Sequence, residues 1–157
     1  MTAESGEGAV PPRRAQVVLP ADVKSVPRAR GFVGQMLAVW HCEDPEEIVA
    51  LLTSEVVTNA VRHAATVIQL AVQLEDEGLV LVETVDDHPA VPMLRELHTD
   101  REDGRGMWMV ERLAQRWGVR PLPDGRKVVW FEVHLALCGG APQTWWRVPT
   151  ETPSTTS

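Results

Sequence analysis

The segment Ser54-Glu55-Val56-Val57-Thr58-Asn59-Ala60-Val61-Arg62-His63-Ala64 places Glu55, Asn59 and His63 at four-residue steps. On a helix these three share one face. A carboxylate and an amide oxygen one turn apart are hard oxygen ligands, which suits Mg²⁺ held directly or through its waters. Glu55 has an alternative role as a general base that takes a proton from an attacking hydroxyl. A solvated polar face would show the same spacing and carry no chemistry. His63 reads as a hydrogen-bonded structural group rather than a catalyst.

Two further segments carry chemistry. Leu79-Val80-Leu81-Val82-Glu83-Thr84-Val85-Asp86 is an apolar strand ending in an acid, followed by Asp87-His88-Pro89. A carboxylate at such a strand end accepts hydrogen bonds, and an exocyclic amine such as that of adenine is a suitable donor; a turn acid capping nearby backbone is the competing reading. Asp103-Gly104-Arg105-Gly106-Met107-Trp108-Met109-Val110 sets two glycines around an arginine at the start of an amphipathic helix. Glycines allow close backbone approach, and a helix N-terminus presents N–H groups to an anion. A plain loop-to-helix junction has the same pattern.

These residues need elements to position them. Ala15–Pro20 reads as a short strand, and Ser25 as the cap of a helix running to about Trp40 that Gly31 and Gly34 weaken. Asp44-Pro45-Glu46-Glu47 carries the cap acid, first-turn proline and capping-box glutamate of a helix that ends near Ala64. Its apolar positions, Ile48, Val49, Leu52, Val56 and Ala60, form one buried stripe. Thr66–Leu74 and Leu79–Asp86 read as a hairpin, and residues 87–104 as irregular. A helix from about Arg105 to Trp117 and a strand Lys127–Leu135, after a Pro123-Asp124-Gly125 turn, complete the pattern. Trp40, Trp108, Trp117 and Trp130 are expected to pack inside.

Composition bounds the rest. The 157 residues suit one domain, assigned to 14–138 between flexible tails 1–13 and 139–157, the second containing Trp145 and Trp146. With 44% hydrophobic and 24% charged residues the centre can build a core. A formal charge of -7 with scattered arginines argues against direct nucleic-acid binding, and Arg28 and Arg30 read as a solvated face. No apolar run is long enough for a membrane span and none resembles a signal peptide, so the expected location is cytoplasmic. Cys42 and Cys138, far apart and without paired spacing, are expected to be free packed thiols. His41, Cys42 and Glu43 lack the further ligands a metal site needs.

Taken in order, the segments resemble a known family. Glu55-Val56-Val57-Thr58-Asn59-Ala60-Val61-Arg62-His63-Ala64 is similar to the N box of the GHKL superfamily of histidine kinase-like ATPases. Asp86 with Pro89 and Pro92 resembles the first glycine box as found in its anti-sigma-factor serine kinase branch. Gly104-Arg105-Gly106-Met107-Trp108-Met109-Val110 resembles the second. Leu113–Val119 and Gly125–Glu132 are similar to the closing helix and strand. The resemblance spans roughly residues 15–135.

The resemblance implies an α/β (α+β) two-layer sandwich of the Bergerat type, a mixed, mostly antiparallel sheet with helices on one face. It implies ATP and Mg²⁺ as ligands, with Asn59 on the metal, Glu55 orienting or activating the attacking group, and Asp86 on the adenine amine. Gly104, Arg105, Gly106 and Met107 would meet the phosphates. His88 and Ala90 stand where much of the superfamily has glycines. The implied function is a serine/threonine protein kinase that phosphorylates an antagonist protein and binds a sigma factor, with homodimers common in the family. The alternative is a non-catalytic, ATP-responsive binding module. A sensor histidine kinase is disfavoured, because roughly fifty residues precede the Asn59 helix, too few for a phosphoacceptor hairpin as well.

Overall fold

The structure, a computed structural model, describes residues 12–64, 66–87 and 104–138, without side chains for 104–106. The elements are β1 (Arg14–Pro20), α1 (Ser25–Val39), α2 (Ile48–His63), β2 (Val67–Leu74), β3 (Leu79–Asp86), α3 (Gly104–Leu113), β4 (Arg116–Pro121) and β5 (Lys127–His134). The strands form one five-stranded sheet in the order β1-β2-β3-β5-β4, antiparallel at every pairing. The three helices pack together, with α2 between α1 and α3 and resting on β3 and β5. This is the expected α+β sandwich. The irregular segment with His88, Pro89, Ala90 and Pro92, and the tail with Trp145 and Trp146, lie outside the described residues.

Strand alternation sets what the helices cover. Ile68, Leu70, Val72 and Leu74 of β2 are buried, as are Val80, Val82, Thr84 and Asp86 of β3 and Val129, Phe131 and Val133 of β5. Registers such as Val82 opposite Phe131 keep these residues on one face. α1 adds Ala29, Val33 and Leu37, and α2 adds Val49, Leu52, Val56, Val57 and Ala60, at helical spacing. The other sheet face is polar and ion-paired. Glu83 bridges Arg14 at 3.1 Å and Arg120 at 3.2 Å, and Arg116 pairs with Glu132 at 2.6 Å.

Helix starts differ from expectation in instructive ways. Ser25 is the first helical residue of α1 rather than its cap, and its hydroxyl donates to the Pro20 carbonyl at 2.6 Å. Asp22 accepts from the Lys24 N–H at 2.8 Å in the turn just before the helix, and no side chain among the described residues caps the helix itself. α2 begins at Ile48, not at Pro45, because Glu47 adopts a left-handed conformation with φ 53°. Asp44 still caps it across that turn, accepting from the N–H groups of Ile48 (2.9 Å), Val49 (2.9 Å) and Ala50 (3.3 Å).

The far end of the chain needs larger corrections. α3 stops at Leu113, and Trp117 belongs to β4, a strand where a helix was expected. The Gln115 N–H donates to the Glu132 carbonyl at 2.8 Å, which draws the chain onto β5, and Trp117 and Val119 then alternate toward the helices. Gly118 lies under the Trp130 indole, where a Cβ would come within 2.9 Å of the ring. Trp108 is 50% exposed rather than packed, with the Arg112 guanidinium stacked 4.8 Å from its ring centre.

The cysteines are not free thiols. Cys42 and Cys138 form a disulfide that joins the α1–α2 connection to the chain leaving β5. Chain topology, not sequence spacing, brings them together: the Glu43 N–H donates to the Leu137 carbonyl at 2.8 Å beside the bond. Pro12 and Arg13, expected in the tail, are tied down. The Trp40 indole donates to the Pro12 carbonyl at 2.8 Å, and Arg13 pairs with Asp76 at 2.8 Å. Among the described residues no helix is long and apolar enough to cross a membrane.

Candidate functional site

α2 carries the first group of candidate residues. The helix packs on β3, β5 and α3. Asn59 is 8% exposed, Glu55 and His63 are half-buried, and Thr53 is fully buried. The face is therefore not a fully solvated one, since Asn59 at its centre is buried. Burial pushes the Glu55 carboxyl above its usual range, and the Arg62 guanidinium works against that shift. The Asn59 side-chain nitrogen Nδ2, a hydrogen-bond donor, is buried without a partner among the described residues. Buried polar atoms are normally paired, so an orphaned amide invites a ligand.

β3 supplies the second group. The alternation that buries Val80, Val82 and Thr84 also turns Asp86 inward, and its residue exposure is 1%. The Thr84 hydroxyl donates to the Val129 carbonyl at 3.3 Å, stitching β3 to β5 just ahead of the strand end. Asp86 is thus no exposed turn acid. It is a carboxylate on the helix-facing side of the sheet, where the chain leaves β3.

Directly across from Asp86 in the β3–β5 register stands Lys127. Its ammonium Nζ lies 3.5 Å from Asp86 Oδ2, with side-chain exposures of 1% and 0%. Sequence reasoning treated Lys127 only as the first residue of a strand. The available signal was parity, since Lys127, Val129, Phe131 and Val133 share one face. It is obscured because Val128 and Trp130 make the first half of the other face of β5 apolar as well.

The third group lies on α3. Gly104 and Gly106 fall within its first turn, so the glycine pair does open a helix, and the Met107 side chain is buried at 1% exposure. Arg105 lies between the two glycines, and its side chain is outside the described set. The helix N-terminus supplies backbone N–H groups of the kind that bind phosphate. Across the fold, α2 thus meets β3, β5 and α3, the elements that carry the other candidates. Some cavities lie away from these residues. One of about 330 Å³ is lined by Arg13, Leu74, Gly78 and Cys138 among others, at the opposite end of β3 from Asp86.

A family model of the histidine kinase-like ATPase domain matches residues 19–132. The chain belongs to that family. No curated protein matches the chain. The match takes in α1 to β4 whole, with the last two residues of β1 and the first six of β5, and so includes every candidate residue. As a histidine kinase-like ATPase domain of the GHKL superfamily, the chain is an ATP-binding α+β unit. The residues present suit that ligand: an orphaned amide on Asn59, an inward carboxylate on Asp86, and the glycine-opened start of α3.

Proposed function

We propose that this domain is an anti-sigma-factor-type serine/threonine protein kinase that binds ATP with Mg²⁺, phosphorylates an antagonist protein and binds a sigma factor. The observation that carries the catalytic reading is Glu55, half-buried, with its pKa raised by burial, one turn before Asn59 on α2. A carboxylate raised toward neutrality is a better proton acceptor than an exposed one, and it stands beside the residue fitted to the phosphates.

In this reading Asp86 accepts from the adenine amine, and backbone donors at Gly104, Arg105, Gly106 and Met107 meet the phosphate oxygens. Asn59 holds Mg²⁺, which when bound supplies charge neutralisation at the phosphates. Glu55 takes the proton from the antagonist's serine hydroxyl as that oxygen bonds to the γ-phosphorus. The bond to the bridging oxygen breaks and ADP leaves. The remaining work is positioning and electrostatic stabilisation, which suits a site built from helix ends and buried side chains.

The test is transfer of the γ-phosphoryl group from labelled ATP to a co-purified antagonist protein, by wild type and Glu55→Ala. Wild-type transfer that Glu55→Ala loses while keeping ATP affinity supports the kinase. Nucleotide-dependent partner binding without any transfer would leave an ATP-responsive binding module. No ATP binding at millimolar nucleotide with Mg²⁺ would sink both.

A further inference from the structure

We propose that Lys127 and Asp86 together read the nucleobase, Asp86 accepting from the exocyclic amine of adenine and Lys127 donating to its ring nitrogen N1. The inference rests on the ATP reading above and names what selects adenine within it.

The first observation is where the charge sits. Lys127 is 1% exposed on the helix side of β5, in a row whose other members are Val129, Phe131 and Val133. Lysine is almost never fully buried unless paired, and an apolar residue of similar volume would hold the sheet at least as well. A stability role thus accounts poorly for an ammonium at this place. The second observation is the partner: Lys127 faces Asp86 across the β3–β5 register, 3.5 Å away, at the sheet end where β3 leaves toward residue 88.

The pair presents one anionic acceptor and one cationic donor side by side. An ammonium has three donors and a carboxylate about four acceptor positions, so each can serve more than one partner at a time. The Watson–Crick edge of adenine offers the complement, an amine donor at N6 and an acceptor at N1. Guanine reverses that order, with an acceptor at O6 and a donor at N1. A guanine in the same place would set acceptor against Asp86 and donor against Lys127. The pair therefore selects for adenine and against guanine, since like groups facing each other are the repulsive half of specificity. Asp86 alone would sense only the amine.

Calorimetry on the full chain tests this with ATP, GTP and the triphosphate of 1-deazaadenosine, in which N1 is a C–H group, each with Mg²⁺. Wild type is expected to bind ATP at least about tenfold more tightly than the 1-deaza analogue, the usual scale for a hydrogen bond to a charged group. Lys127→Met should bind the two within about twofold of each other and lose most of the preference for ATP over GTP. Lys127→Gln, which keeps a donor, should retain part of both preferences. Equal wild-type binding of ATP and its 1-deaza analogue overturns the proposal whatever the variants do, as does unchanged discrimination in a folded Lys127→Met. Absence of any ATP binding overturns the ATP reading itself, a separate failure.

Discussion

Glu55 and Asn59 stand one helical turn apart on α2, the carboxyl half-buried with its pKa raised by burial and opposed by Arg62, the amide buried with one end orphaned. A base must be ionised to accept a proton. The acidic limb of the pH–rate profile should therefore lie above the ordinary carboxyl value of 4.5. Glu55→Gln should lower transfer by about 10²-fold or more while ATP affinity stays within a few-fold. Stability moves the other way. A raised folded pKa gives stability that is complete below the unfolded value and lost as pH rises through the folded one. A neutral glutamine escapes that loss, so Glu55→Gln should melt higher than wild type near neutral pH. The gain should shrink as pH falls toward 4.5. Transfer that survives the substitution, or a lower neutral melting temperature, would contradict the role.

Much of this arrangement was legible in the sequence, for identifiable reasons. Glu55, Asn59 and the stripe Val49–Leu52–Val56–Ala60 lie on one long helix whose period is unambiguous, and Asp86 ends a strand of clean alternation. β4 was misread because Leu113-Ala114-Gln115-Arg116-Trp117 continues a helical pattern; only the hydrogen bond from Gln115 to Glu132, a long-range contact, ends it. Lys127 does not stand out because Val128 and Trp130 make the start of the outer face of β5 apolar too, so alternation at that end gives no inward side. The disulfide was invisible for a related reason: Cys42 and Cys138 are 96 residues apart and meet only once β5 lies beside the start of α2. Local periodicity reveals faces. It does not reveal which distant residues a sheet register sets opposite each other.

Asp44 holds the first turn of α2 from four residues before it, accepting from three successive backbone N–H groups. Asp44→Ala removes all three hydrogen bonds at once and should cost about 1–2 kcal/mol, the upper part of the range for a lost cap. Urea unfolding would show a lower midpoint with an unchanged slope. Hydrogen exchange should quicken first at Ile48, Val49 and Ala50. A neutral result in both measurements would mean that water replaces the carboxylate without loss.

Gly31 and Gly34 sit inside α1, and a Cβ at either would meet no neighbouring atom within 4 Å. Nothing in the packing requires glycine there. Replacing either with alanine should stabilise the domain by about 0.5–1 kcal/mol through the unfolded chain's lower entropy. A thermal melt would register this as a rise of roughly 2–6 °C for each substitution. No rise, or a fall, would indicate that a close approach by another molecule or by residues outside the described set uses the bare backbone.

Cys42 and Cys138 close a loop of 96 residues that contains α2, β2, β3, α3, β4 and β5. In the chain-entropy account a bond across so long a loop restricts the unfolded state strongly, and about 2–4 kcal/mol is typical of what such bonds contribute. Reduction by a dithiol should therefore lower the melting temperature of wild type. A Cys42→Ser, Cys138→Ser double variant should melt near the reduced wild type and be insensitive to reductant. The bond also holds the start of the α2 cap, since Glu43 donates to Leu137 beside it and Asp44 follows. Reduction should accordingly quicken exchange at the first turn of α2 more than at β2. Alkylation followed by mass measurement gives the direct check: protein handled without reductant should take up no label at Cys42 or Cys138. Full labelling of both under native, oxidising conditions would show that the thiols stay apart in solution.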